Sequence, residues 1–146
     1  MVGSITGDTT NMNGARAVAV SPDGDFAYVT GALSYSIAVV DVSNATNPTV
    51  VGSITGENTN MDGAWGVAVP PDGDYAYVTG YYSDSIAVVD VSDATSPTVV
   101  GSITVDSTNM DYPVGVAVLP DGNYAYVVGR ESNSIAVVEL QNCTVH

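Results

Sequence analysis

Arg16 and Arg130 are the only basic Lys or Arg residues in the chain, set against 16 Asp and Glu. A guanidinium is a rigid fork that can hold a carboxylate or phosphate at two points, so each marks a place where an anionic group could be recognised. Pairing with a nearby Asp is the simpler use. Trp65, Tyr81, Tyr82 and Tyr112 add flat rings that can stack on a sugar, an aromatic ligand or a partner side chain. With Arg16, Leu33, Arg130 and Glu131 they make up the candidate ligand-binding set. A second set is built on Thr-Asn-Met at 10–12, 59–61 and 108–110, each followed by Asn or Asp. From it Asn11, Asn60, Asp62, Asn109 and Asp111 offer the hard oxygens that Ca²⁺ takes. Closing the loop on its own backbone is the simpler role for these side chains. No other cofactor is expected.

Nucleophilic and metal-dependent chemistry have little to draw on. His146 is the only histidine and Cys143 the only cysteine, both beside the C-terminus, so neither a Ser–His–Asp nor a Cys–His arrangement can form elsewhere. Paired carboxylates could act as acid and base, but each has a plainer turn role. No glycine-rich loop opens a helix. On these grounds the expected activity is non-enzymatic.

A formal charge of −14 argues against nucleic acid or an anionic membrane as partner. It suits either a salty medium that screens the repulsion or simply a surface made of Asp-containing turns. No apolar stretch approaches the ~18 residues of a membrane span, and no signal peptide is visible at the N-terminus.

These residues must be positioned by a repeat. VGSIT recurs at Val2, Val51 and Val100, and the segments 2–50 and 51–99 are identical at 37 of 49 positions. The third copy runs over 100–146, so the whole chain, 1–146, reads as one domain of three repeats. Each repeat predicts four strands rich in Val, Ile, Thr and Tyr: an outer one (2–6, 48–55, 97–104), an Ala/Val strand (16–20, 65–69, 114–118), YAYVT-like runs (26–30, 75–79, 124–128) and SIAVVDV-like runs (36–42, 85–91, 134–140). The Pro-Asp-Gly turns at 22–24, 71–73 and 120–122 carry strong hairpin chemistry. SIAVV is apolar on both faces, which a sheet covered on both sides requires. Ala and Gly at 17, 19, 66, 68, 115 and 117 suit an innermost strand where sheets crowd. A four-stranded unit of 40–50 residues is the signature of a β-propeller blade, and the fold class is all-β.

SIAVVDVSNATNPTVVGSIT at 36–55 and SIAVVDVSDATSPTVVGSIT at 85–104 resemble the LVIVD propeller repeat. GVAVPPDGDYAYVTG at 66–80 is similar to the related YVTN-type blade. The resemblance covers nearly the whole chain. It implies the blade, a location that is secreted or at the cell surface, and enzymatic activity only in distant relatives.

Three blades make an arc. Two chains would give six blades, within the usual four to eight, and residues 2–6 of each could complete the last blade of the other by strand addition. A six-bladed homodimer is therefore expected, with a piece of a longer propeller as the alternative. Differences among the copies gather in two connections, 13–16 and 32–35 with their counterparts, which strand order places on one side around the channel mouth. A non-enzymatic binding or scaffold module is expected, its carbohydrate, small-molecule or protein ligand bound there. The alternatives are a cell-surface structural fragment without a small ligand and a divergent lyase- or lactonase-like propeller enzyme.

Overall fold

A computed structural model describes residues 1–6, 11–55, 60–104 and 110–140. Asn109, Cys143 and His146 lie outside these residues, and so does the part of each Thr-Asn-Met loop before Asn11, Asn60 and Met110. Eleven strands follow one another: β1 (Ala15–Val20), β2 (Phe26–Gly31), β3 (Ser36–Asp41), β4 (Thr49–Thr55), β5 (Ala64–Ala68), β6 (Tyr75–Gly80), β7 (Ser85–Asp90), β8 (Thr98–Thr104), β9 (Pro113–Val118), β10 (Tyr124–Gly129) and β11 (Ser134–Glu139). They pair in antiparallel sheets ordered β1-β2-β3-β4, β5-β6-β7-β8 and β11-β10-β9, here called blades 1, 2 and 3. The expected strands are all present within a residue or two, except that residues 2–6 are not paired into a sheet.

The Pro-Asp-Gly turns close the inner hairpins as their chemistry requires. Gly24, Gly73 and Gly122 N–H groups donate to the carbonyls of Ser21, Pro70 and Leu119 at 2.9, 3.0 and 2.9 Å. In each turn the Asp carboxylate accepts the N–H two residues on, at 3.0 Å from Asp25, 3.2 Å from Asp74 and 2.9 Å from Asn123.

Alternation along each strand gives a blade two apolar faces. Tyr28, Ile37 and Val39 of blade 1 pack on Ala76, Val78, Ala87 and Val89 of blade 2. Tyr77, Ile86 and Val88 of blade 2 pack in the same way on Ala125 and Val127 of blade 3. Burying each such Val or Ile contributes roughly 1.5–3 kcal/mol, so the stack of blades is the core. The innermost strands are tied by threonine. The Thr30 hydroxyl donates to the Trp65 carbonyl at 2.7 Å, and the Thr79 hydroxyl accepts the Gly66 N–H at 2.7 Å while reaching the Val114 carbonyl at 3.3 Å. No helix among the described residues is long and apolar enough to cross a membrane.

Asp41 and Asp90 close the turns that follow their own strands. Each accepts the N–H and hydroxyl of the serine two residues on, Ser43 or Ser92, at 2.9 and 2.6 Å. The carboxylate sits just where its strand ends, so the nearest free donors are those of its own turn.

Candidate functional site

The two variable connections of each blade are hydrogen-bonded to one another. Ala32 and Leu33 donate to the carbonyls of Gly14 and Asn13, Tyr81 and Tyr82 to those of Gly63 and Asp62, and Arg130 and Glu131 to those of Tyr112 and Asp111, all at 3.0–3.3 Å. The repeat thereby holds six variable side chains at one end of the strands. The backbone there is unusual. All six non-glycine residues with positive φ among the described residues fall in these connections: Asn11, Tyr35, Asn60, Asp84, Tyr112 and Asn133. Asn and Asp tolerate that region, and tyrosine does so at a cost. At Tyr112 (φ 51°) the first two blades have Gly14 (φ 67°) and Gly63 (φ 65°). Such strain concentrates where a side chain has to be placed.

What it places is an aromatic ladder running across the blades. The Arg16 guanidinium carbon lies 4.4 Å from the centre of the Trp65 ring, a cation–π contact. Trp65 stacks on Tyr81, with ring centres 5.0 Å apart and an angle of 29° between the planes. Tyr81 meets Tyr82 edge-on at 4.9 Å and Tyr112 at 4.7 Å. Arg130 Nη1 donates to the Tyr81 hydroxyl at 3.2 Å, and its Nε lies 3.9 Å from Glu131 Oε1. Asp84 accepts the Tyr112 N–H at 2.9 Å and so fixes the third blade's loop to the second. Arg130 and Glu131 remain 59% and 56% exposed, and Tyr82 66%, which leaves their polar ends and one ring open to a ligand.

Seven of the eight expected ligand-binding residues thus join one contact network: Arg16, Trp65, Tyr81, Tyr82, Tyr112, Arg130 and Glu131. Leu33 stands apart over Gly14 on blade 1 and is 67% exposed. Trp65 is not a loop residue: it lies half-buried in β5, its ring in contact with Arg16 and Tyr81. Asp84 was not singled out for a role by its sequence position, although an Asp where Tyr35 and Asn133 stand, all with positive φ, was the available signal.

The residues proposed for Ca²⁺ are placed differently. Asn11 and Asn60 donate their side-chain amide N–H groups to the Ser53 and Ser102 hydroxyls at 2.7 and 2.8 Å, and their main-chain carbonyls accept the Ser36 and Ser85 hydroxyls. Each ties its loop to the outer strand. The carbonyls of Asp62 and Asp111 hold the neighbouring loop, and Asn109 lies outside the described residues. Among the described residues no three His, Cys, Asp or Glu gather as a metal site would need. On the opposite side, between the turns of blades 1 and 2, lies a cleft of about 310 Å³. Asp23, Asp72 and Asp74 line it without a cation, which sets it against an anionic ligand.

The family model described as lactonase, 7-bladed beta-propeller, matches residues 4–145. Among solved structures the chain is similar to hydrazine synthase of Kuenenia stuttgartiensis, at 29% identity and a TM-score of 0.72, over 96% of this chain and 37% of that one. It is similar to a putative 6-phosphogluconolactonase of Bacteroides uniformis at 25% identity and TM-score 0.75, over 88% of this chain and 36% of that one. Likeness to the periplasmic gluconolactonase of Pseudomonas aeruginosa, at 20% identity and TM-score 0.75 over 88% and 36% of the two chains, speaks for the fold. No curated protein matches by sequence. The chain spans a little over a third of the length of these structures.

Two expectations are corrected by these matches. The blade number of the matching family is seven, not six, and a sixfold count from two copies has no support in it. The non-enzymatic module is overturned as well: the matching family is described as lactonase, and a lactonase-like enzyme was only the alternative. The absence of histidine and cysteine away from the C-terminus does not exclude hydrolysis, because carboxylates, set aside above as turn residues, can also serve as acid and base.

Proposed function

The chain belongs to the seven-bladed lactonase β-propeller family, and from that premise we propose that it supplies three blades of a lactone hydrolase whose substrate binds on the aromatic and arginine ladder. The family match over 4–145 carries this reading. On this reading its blades are of the LVIVD and YVTN type, as the SIAVVDVS and PDGDYAYVTG segments suggest.

On this reading Glu131 takes a proton from a water molecule as that water adds to the lactone carbonyl. Arg130, held by the Tyr81 hydroxyl, faces the negative charge that develops on the carbonyl oxygen. The tetrahedral intermediate then breaks its ring C–O bond, and the departing alkoxide recovers the proton from Glu131. The products balance as one hydroxy acid per lactone and water. Tyr82 offers its open ring to the sugar, and Arg16 is the second cation available to an anionic substituent.

Hydrolysis of δ-aldonolactones, with and without a 6-phosphate, tests the reading by proton release at constant pH. Turnover above the spontaneous rate is expected, falling about a hundredfold or more in Glu131→Gln and Arg130→Ala. Background rates with every lactone would overturn the assignment, and unchanged rates in both variants would remove these two residues from it.

A further inference from the structure

The cleft between the Pro-Asp-Gly turns of blades 1 and 2 lies at the far end of the strands from Arg130 and Glu131. Backbone fixes its walls. Gly73 leaves room for Pro22, whose Cδ a Cβ would meet at 3.1 Å, so the two turns lean on each other. The Val91 N–H donates to the Asp74 carbonyl at 2.9 Å and ties the end of β7 to the blade 2 turn. Phe26, Val91 and Ala94 make one wall apolar. Three carboxylates complete the lining, and each has an oxygen to spare. Asp23 Oδ1 accepts the Ser21 hydroxyl and the Asp25 N–H, and Asp72 Oδ1 accepts the Asp74 N–H. No hydrogen bond among the described residues reaches the Asp74 carboxylate. The three acids are divided between two turns and do not converge on one point as the ligands of a metal ion do.

Tyr28 points to an occupant. The residue is 2% exposed, yet no hydrogen bond among the described residues holds its hydroxyl. Every side-chain N or O atom sealed from solvent among those residues has a partner, so this hydroxyl is open, and the opening that Tyr28 lines is the cleft. Burial first, and then the negative charge of Asp23, push its pKa above the ordinary 10.0. It therefore stays a neutral hydroxyl with its lone pairs unused. A polar group so deep in the joint costs free energy until something pairs with it.

We propose that this cleft binds an aliphatic diammonium ion, one ammonium held between Asp23 and the Tyr28 oxygen, the other by Asp72 and Asp74, with the carbon chain along Phe26, Val91 and Ala94. An ammonium has three donors and no acceptor, which matches carboxylates and a hydroxyl oxygen. A bare metal ion would meet the acids of one turn and leave the apolar wall to water. Two charges on a carbon chain meet both turns and cover that wall, and the Phe26 ring is a further partner for a cation. In the next joint, between blades 2 and 3, Asn123 stands where Asp74 does, so the full set of acids belongs to this joint. The site is independent of the reaction assigned to the other end of the strands.

Calorimetric titration of the full chain with putrescine at fixed ionic strength tests the site. Saturable binding of one diamine per chain is expected. Butylamine, which carries a single ammonium, is expected to bind at least about tenfold more weakly. Putrescine is expected to lose at least about tenfold in affinity for Tyr28→Phe and for Asp74→Asn, because each removes one partner of an ammonium. Both variants are expected to melt with the parent. The first gives up a hydroxyl that no protein group holds, and the second installs the residue that blade 3 already carries. An absence of saturable heat, Ca²⁺ binding as tight as that of putrescine, or unchanged affinity in either folded variant would each overturn the site.

Discussion

Tyr112 is the residue at which the ladder departs furthest from the repeat. A side chain in the left-handed region costs about 1–2 kcal/mol, and its ring contact with Tyr81 returns about 0.5–1.5 kcal/mol. Tyr112→Gly, which restores the residue of the other two copies, should therefore leave the melting temperature within about 4 °C of the parent. Lactone turnover should fall at least about tenfold, because Tyr81, whose hydroxyl holds Arg130, loses the ring packed against it. Thermal melts and initial rates on the same preparation check both halves. A collapse of the melt with no separate loss of rate would make Tyr112 a structural residue.

Threonine couples the blades as elements. Thr79 takes the Gly66 N–H at 2.7 Å in a fully buried position, 0% exposed. Thr79→Val keeps the shape of the side chain and strands that N–H, a loss of about 1–3 kcal/mol. Thr79→Ser should recover most of it. Denaturant midpoints of the two variants measure the difference, and equal midpoints would mean that the hydroxyl contributes nothing to blade stacking. Val128 stands at this position in blade 3, where the side chain has no hydroxyl to offer.

For the molecule as a whole, charge is the dominant variable. One ion pair, Arg130–Glu131, is present among the described residues, so salt has little attraction to screen and much repulsion to relieve. Screening lengths shrink from about 10 Å at 0.1 M to about 3 Å at 1 M salt, and the melting temperature should rise steadily with NaCl over that range. Acid acts the other way at its end of the scale. Hydrogen bonds from the Ser21, Ser43 and Thr95 hydroxyls hold the Asp23, Asp41 and Asp93 carboxyls below their ordinary value of 3.8. A depressed carboxyl stabilises the fold above that value and stops doing so as pH falls through its folded pKa. Stability should hold from pH 7 to about 4 and then drop, with the drop blunted in Asp41→Asn with Asp93→Asn. A flat salt curve would mean that the acids are too dispersed to matter.

Strands, hairpins and the variable face were legible in the sequence because each rests on local physics. A 49-residue period, β-branched runs and Pro-Asp-Gly turns name their own conformation, and copies that differ in one pair of loops mark one end of the strands. Contacts across the period were not legible. Whether Trp65 meets Arg16 depends on how far apart two blades stand, and that spacing is decided by the packing of Ile37 and Val39 against Ala87 and Val89. Pairing of the outer strand within each blade brought Ser53 and Ser102 to the Asn11 and Asn60 amides, a role that spacing along the chain does not reveal. Blade number stands further still from the sequence of one blade. Six or seven differ by a few degrees of wedge angle, summed over the buried side chains of every joint, so no single repeat carries the count.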